Sequence, residues 1–442
     1  FSLTVPTGGG KTYSSLAFSL KHATKYSKER VIYVIPYMSI IEQNAQVFRD
    51  VLGEFAVLEH HSNFEYPESN FEDWDPMEKA HRLASENWDR PLIVTTAVQF
   101  FESLFSNKSS KCRKLHNIVN SVIILDEAQM MPREFLKPCI MALAELVKNY
   151  GVSVILCTAT QPAINEYFPN GMKPVEIMEN PKELQYLLKR VEVIVRKEMS
   201  DVELANEMTE HSQVLSVVNT RKHARILFDT LSESCENGNY HLSARMCPQH
   251  RKDVIKHIKC SVKVGEICRV VSTQLIEAGV DIDFPVVYRA IAGVDSIVQA
   301  AGRCNREGKL PRYGTVYVFE PEAHGIPKAF ESAIGQTRSV IRRLGDLDGD
   351  LLSLEAIEDY FKGYYELDEK LLDQKMILKQ IGQGFDLGNL KDGKLWLTYQ
   401  FEKIADDFKL IDNITTPIIV PYDEKAETLM QMAEKSRYPG SF

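Results

Sequence analysis

The chain has 442 residues, of which 44% are hydrophobic and 26% charged; these values exclude a disordered or fibrous protein, and at roughly 150 residues per domain there is room for about three domains. Its 52 Lys and Arg against 61 Asp and Glu leave a net charge of −9, so any contact with nucleic acid has to rest on local basic patches and not on a global field. No apolar run approaches the roughly 18 residues of a membrane span, and eight scattered cysteines without a CxxC pair read as the reduced thiols of a cytosolic protein.

In chain order, β-rich runs at 2–5, 31–35, 92–95, 122–125 and 152–156 alternate with segments of helical spacing such as 11–26 and 134–148. Apolar strands separated by helices predict a parallel sheet covered on both faces. The acidic, aromatic stretch 60–90 is expected to be a helical insertion. A second series of runs, at 214–218, 241–244, 267–272, 286–290 and 315–319, predicts a second α/β unit of similar size, joined to the first near 192–201. From about residue 326 helical pattern dominates, and a few strands are expected to end at 416–421. The expected division is 1–195, 196–325 and a C-terminal accessory region at 326–442. The chain opens on Phe1 with chemistry by Thr7, as expected of a fragment. The eleven histidines form no HxxxH or Cys/His cluster in sequence, which argues against a structural zinc site.

Pro6-Thr7-Gly8-Gly9-Gly10-Lys11-Thr12 follows the first strand and opens a helix. Glycines let backbone N–H groups approach phosphate oxygens, and a helix N-terminus adds favourable partial charge. Lys11 is expected to reach the β- and γ-phosphates of a nucleotide and Thr12 to ligate Mg²⁺. Val5 stands where the strict pattern has its first glycine. The run Val122-Ile123-Ile124-Leu125-Asp126-Glu127-Ala128-Gln129 ends an apolar strand in two carboxylates. Alone, such a strand end is commonplace; downstream of the glycine loop, Asp126 becomes the candidate Mg²⁺ ligand and Glu127 the group that orients and deprotonates the attacking water.

These two motifs, with Thr158-Ala159-Thr160, the stretch STQLIEAGVDID at 272–283, and Gln299-Ala300-Ala301-Gly302-Arg303-Cys304-Asn305-Arg306, occur in the order of superfamily 2 helicases. Pro36-Tyr37, Ile41-Glu42-Gln43, the run from Thr95 to Phe105, Val218-Asn219-Thr220 and Leu242-Ser243-Ala244-Arg245-Met246 narrow the match. Over about residues 1–330 the chain resembles the helicase half of the CRISPR-associated type I interference helicase–nuclease. The resemblance implies two RecA-like lobes of the P-loop NTPase class with ATP between them. It adds Gly279 and Asp281 to the nucleotide site. It implies coupling roles for Thr158, Thr160 and Gln299, and nucleic-acid contacts by Pro36, Thr95, Thr96, Gln99, Thr220, Arg221, Ser272, Thr273 and Gln274. Several of the latter lie where strands end, where hydroxyls and N–H groups meet a backbone. Gln129 departs from the more usual His of its motif and leaves the coupling contact open.

Arg303 and Arg306, three apart on an expected helix, would share a face and meet the γ-phosphate as arginine fingers; a surface salt-bridge pair is the plainer use of two such residues. Between Arg245 and Arg269, seven Lys or Arg against two Asp or Glu form either an electrostatic track or a solvated helix face. The run 108–114 reads as a solvent loop. Asp346, Asp348 and Asp350 resemble a calcium loop but lack its glycine. No His is followed by Asp, so the family's metal nuclease site is not expected here. The resemblance further implies an ATP- and Mg²⁺-dependent, 3′-to-5′ motor on single-stranded DNA, recruited by an RNA-guided surveillance complex, feeding an HD nuclease domain outside this sequence, and expected to work as a monomer in the cytoplasm. An RNA helicase and a nucleotide-gated binding module are the alternatives.

Overall fold

A computed structural model describes residues 1–36, 41–61, 76–159, 163–277, 279–345, 349–367, 369–383, 399–411 and 418–435. Its contacts divide the chain into two units, Phe1–Leu188 with Ile357–Asp412, and Lys189–Ala356 with Asn413–Phe442. The C-terminal region expected to stand apart is thus shared between the two α/β units.

The first unit is built on strands β1 (Ser2–Thr4), β2 (Arg30–Ile35), β3 (Val57–His60), β4 (Leu92–Thr96), β5 (Ser121–Leu125) and β6 (Ser153–Thr158), in the order β1-β6-β5-β2-β4-β3. Every pairing is parallel. In β5 (SVIIL) and β4 (LIVTT) every residue is buried, as expected of strands covered on both faces. One face packs Leu3, Val31, Tyr33, Val122, Ile124 and Ile155 against Leu16 of the helix Lys11–Lys25 and Phe48 of the helix Ile41–Leu52. The strand β3 was not expected: its four residues carry a charged Glu59, which hides the apolar run. Of the stretch read as a helical insertion, Pro76–Asn87 is a helix and 62–75 lie outside the described residues.

The second unit repeats the plan with β7 (Val191–Met199), β8 (Gln213–Val217), β9 (Asn239–Leu242), β10 (Cys268–Ser272), β11 (Val286–Ala290) and β12 (Gly314–Pro321), in the order β7-β12-β11-β8-β10-β9. All pairings are again parallel. Here the expected joint at 192–201 is instead the edge strand β7, paired through its length with β12. Its alternation of Glu192, Arg196, Lys197 and Glu198 reads as a linker, yet charges on an edge strand are what keep it from pairing further. Among the described residues after 326 there are helices and no strand; Ile418–Val420, expected to be β, is unpaired and exposed. No described helix is long and apolar enough to cross a membrane.

Candidate functional site

The strand order of the first unit decides where its chemistry sits. β6 lies between β1 and β5, so the glycine loop after β1, Thr158 at the end of β6 and Asp126-Glu127 after β5 leave the carboxyl ends of three neighbouring parallel strands. That edge is where open α/β sheets bind ligands. The loop is tight: Gly8 and Gly10 have φ of 80° and 83°, left-handed values that glycine adopts without cost. Gly9 N–H donates to Pro6 O at 3.0 Å, and a Cβ at Gly9 would fall 2.7 Å from Val5 Cγ1. Val5, the departure from the strict motif, is buried and packs under the loop. Gly10 caps the helix Lys11–Lys25 without a side-chain bond, leaving the first-turn N–H groups to a ligand. Thr7 and Thr12 are half-buried at the two ends of the loop.

Lys11 reaches back onto both carboxylates. Its Nζ donates to Glu127 Oε1 at 2.5 Å and stands 3.6 Å from Asp126 Oδ1. Burial alone would lower the ammonium, but Glu127 and then Asp126 outweigh it and hold Lys11 well above the usual lysine range. Burial raises the Asp126 carboxyl against the pull of Lys11, and the Glu127 charge adds to the rise. Asp126 accepts from Tyr33 Oη at 3.1 Å through Oδ2 and from Glu127 N–H at 3.0 Å through Oδ1. Burial and the Asp126 charge in turn push the Tyr33 phenol well up, so it remains a donor. Gln129 closes the chain of contacts: its Nε2 donates to Glu127 Oε2 at 2.5 Å and its Oε1 accepts from Thr158 Oγ1 at 2.7 Å. A carboxamide thus donates on one side and accepts on the other, as a neutral imidazole would, which accounts for Gln in place of the usual His. Thr160 lies outside the described residues.

The expected nucleic-acid contacts fare unevenly. Thr95 is fully buried and its Oγ1 donates to His60 O at 2.9 Å; Thr96 is buried and caps the helix Ala97–Leu104, accepting from Gln99 N–H at 3.0 Å. Both side chains are thus engaged inside the unit, Thr95 Oγ1 as a donor and Thr96 Oγ1 as an acceptor. Pro36 and Gln99 remain half-buried at the same strand edge. In the second unit Thr220 caps the helix Arg221–Ser234, and Arg221 is exposed beside it. Ser272 is fully buried with its hydroxyl on Thr273 O at 2.9 Å, and Thr273 N–H donates to Leu242 O at 3.2 Å; Gln274 alone of the three keeps a partly exposed side chain. Arg269 leaves the basic run: it is buried, donating to Thr209 O and His211 O at 3.0 Å each, where it closes the end of the helix Asp201–Thr209. Of the other six, Arg245 is exposed before the helix Pro248–Val264 and Arg251 is half-buried on it, while Lys252, Lys256, Lys259 and Lys263 are exposed on one of its faces.

The paired arginines are also corrected. The helix Val294–Ala301 ends before both, so they share no helical face. Arg303 turns inward, 7% exposed, and donates through Nη2 to Glu277 O at 2.6 Å. Arg306 points outward: Asp283 Oδ1 accepts its backbone N–H at 2.6 Å and Asp281 Oδ1 sits 2.7 Å from its Nε. Asp281, expected at the nucleotide, therefore holds the arginine, while Gly279 supplies a left-handed turn (φ 79°) before it. Gln299 is half-buried on the preceding helix.

Sequence reasoning missed the polar centre of this unit. Arg289, wholly buried in β11, has its Nε 2.7 Å from Glu277 Oε1 and donates to Asn219 Oδ1, Ala290 O and Ser296 Oγ at 2.7–2.8 Å. Ser296 Oγ donates to Glu277 Oε2 at 2.6 Å. The signal was a lone arginine inside the apolar run VVYRAIA. This cluster ties the loop after β8, the loop after β10 and the helix before Arg303 into one piece.

Comparison with known proteins agrees with this geometry. A family model for the DEAD/DEAH box helicases matches residues 1–167, and one described as CRISPR-associated nuclease/helicase Cas3, C-terminal, matches residues 210–309. Over those two stretches the chain is similar to the DEAD/DEAH box helicases and to the CRISPR-associated nuclease/helicases. The curated Cas3 of Haloferax volcanii is 26% identical over 427 residues, covering 71% of this chain and 45% of the relative; that of Methanothermobacter thermautotrophicus is 28% identical over 331 residues, covering 69% and 38%. The chain thus spans less than half the length of either. Among solved structures, T. fusca Cas3 with ATP matches at TM-score 0.66 and 18% identity over 86% of this chain and 51% of that one. A CRISPR RNA-guided surveillance complex, pre-nicking, contains a chain matching at 0.59 and 17% over 86% and 51%. At such identities the likeness is one of fold.

Proposed function

We propose that this chain is the helicase core of an ATP-driven motor that travels 3′ to 5′ along single-stranded DNA in the cytoplasm, recruited by an RNA-guided surveillance complex and passing strand to an HD nuclease domain not contained in this sequence. The observation that carries the reading is the chain of contacts from Lys11 through Glu127 and Gln129 to Thr158 at the carboxyl edge of the first sheet. A hydrolytic site needs a phosphate-binding cation and a carboxylate base within reach of each other, and here they touch. The polyphosphate of ATP would compete with Glu127 for the Lys11 ammonium; once Lys11 turns to phosphate, Glu127 Oε1 would be placed to accept a proton from water while Oε2 stays on Gln129. Thr12 and Asp126 offer a hydroxyl and a carboxylate, the hard oxygen donors Mg²⁺ takes, and Mg²⁺ held by them would neutralise phosphate charge. Arg306, whose side chain is partly exposed, is the arginine of the second unit that we assign to the γ-phosphate. Thr220, Arg221, Gln274 and the lysine face of Pro248–Val264 are its candidate strand contacts.

The test compares ATP turnover with Mg²⁺ alone, with single-stranded DNA and with single-stranded RNA. DNA is expected to raise turnover severalfold or more, because strand binding helps close the site. Equal stimulation by RNA, or none by either, refutes a DNA motor.

A further inference from the structure

Three residues far apart in sequence, none of them assigned a role above, meet in the second unit. Asp201 opens the helix Asp201–Thr209, His223 lies in the first turn of Arg221–Ser234, and His324 follows β12. His223 Nε2 is 2.9 Å from Asp201 Oδ1, and His324 Nε2 is 2.7 Å from Asp201 Oδ2. The two imidazoles stack with centroids 3.7 Å apart and planes inclined by 15°. All three ligand atoms lie within 4.8 Å of one another. We propose that Asp201, His223 and His324 form a binding site for one divalent transition-metal ion of the zinc class.

The stack carries the chemistry. Both rings present Nε2 to the one carboxylate. Two neutral imidazoles and a carboxylate are the N₂O donor set that zinc, cobalt and nickel accept, whereas Mg²⁺ and Ca²⁺ prefer oxygen alone. With metal–ligand bonds of about 2.0–2.1 Å, tetrahedral ligands stand roughly 3.3 Å apart, so the observed spacings need to open by only a few tenths of an ångström. His223 is 2% exposed, while the Asp201 and His324 side chains are 16% and 13% exposed, so one donor is anchored in the fold and the two partly exposed ones leave an edge that would admit an ion with a water as fourth ligand. The ion would staple together two helix starts and the loop after β12. One of those starts carries the cap Thr220 and Arg221, so its rigidity bears on a candidate strand contact without taking part in hydrolysis.

The experiment uses the full chain stripped with chelator, then dialysed against Zn²⁺ or Co²⁺. Wild type is expected to retain one equivalent more than His324→Ala and than Asp201→Asn, and to show Co²⁺ visible absorption that both variants lose. Saturating Zn²⁺ is expected to raise the melting temperature of wild type by several degrees and to leave both variants unmoved, because an ion bound only by the folded state stabilises it by mass action. His257→Ala, an exposed histidine elsewhere, is expected to behave as wild type. Equal metal content in wild type and His324→Ala, or a Zn²⁺ stabilisation that survives both substitutions, overturns the site and leaves a hydrogen-bonded clamp.

Discussion

The buried Arg289–Glu277 pair offers the sharpest test of how the second unit is held. Arg289 is 0% and Glu277 5% exposed, and the guanidinium is further bound by Asn219, Ser296 and the carbonyl of Ala290. Glu277→Leu removes the carboxylate and leaves a positive charge in an apolar interior. Breaking a buried pair in this way costs about 3–5 kcal/mol, whereas replacing both partners by apolar residues of similar volume is often nearly neutral. For a unit of this size each kcal/mol moves the melting temperature by roughly 2–4 °C, so Glu277→Leu should lower it by about 6–20 °C. Arg289→Met should cost a comparable amount. The double variant should lose clearly less than the sum of the two, with a coupling of about 2 kcal/mol or more in a double-mutant cycle read by urea unfolding. Additive losses, or single variants costing under about 1 kcal/mol, would show that the pair is not the keystone and that its solvation is shared with water.

Thr158→Val keeps shape but withdraws the hydroxyl from Gln129 Oε1. It should leave ATP affinity within a few-fold while cutting strand stimulation of turnover by about tenfold, the size of a typical coupling energy; unchanged stimulation would remove Thr158 from the relay. Arg306→Ala should bind a fluorescent ATP analogue within about tenfold of wild type yet hydrolyse ATP at least about a hundredfold more slowly, whereas Arg303→Ala should chiefly lower the melting temperature, since Arg303 is folded onto Glu277 O. His60 accepts from Trp88 Nε1 at 3.3 Å and is held by burial at a pKa of about 3 against an ordinary 6.5. The unfolded chain therefore takes up a proton that the folded one refuses: the stabilisation is complete above pH 6.5 and is lost as pH falls toward about 3. By pH 5.5 wild type should have lost about 1.4 kcal/mol more than His60→Gln, measured by urea unfolding at both pH values; parallel losses would mean that His60 protonates in place.

The apolar strands at 31–35, 92–95 and 122–125 were legible because burial on both faces writes itself as an unbroken run of Val, Ile and Leu. Two edge strands escaped: β7 is largely exposed and its Arg196-Lys197-Glu198 run erases the apolar pattern, while β3 carries a charged Glu59 that is nonetheless buried against Arg49 and His61. The glycine loop and Asp126-Glu127 were readable because spacing along the chain dictates them. The fates of Thr95, Thr96, Ser272 and Arg303 were not, since a hydroxyl or guanidinium at a strand end serves a ligand or its own fold according to which way it turns, and sequence does not record direction. The His223–His324 stack was beyond reach for a simpler reason: about a hundred residues separate its members, and only the strand order of the second unit brings them together.

The same point explains how a dipeptide becomes a site. In a strand, successive side chains point to opposite faces, so Asp126 and Glu127 in extended continuation would be unable to meet one cation. Yet Lys11 Nζ stands 3.6 Å from the first and 2.5 Å from the second. The backbone resolves this by leaving the strand: Glu127 takes φ 49° and ψ 52°, a left-handed conformation that costs a residue with a Cβ about 1–2 kcal/mol. Such strain persists only where the surroundings over-determine it. Here Lys11 holds one carboxylate oxygen, Gln129 holds the other, and the Glu127 N–H is pinned to Asp126 Oδ1. A glycine at 127 would relieve the strain and remove the carboxylate we propose as the base, so the turn and the proposed chemistry are a single feature. On that reading, ATP drawing Lys11 away would release one of three anchors on the strained residue, and Gln129, tied to Thr158, would carry the change to the end of β6.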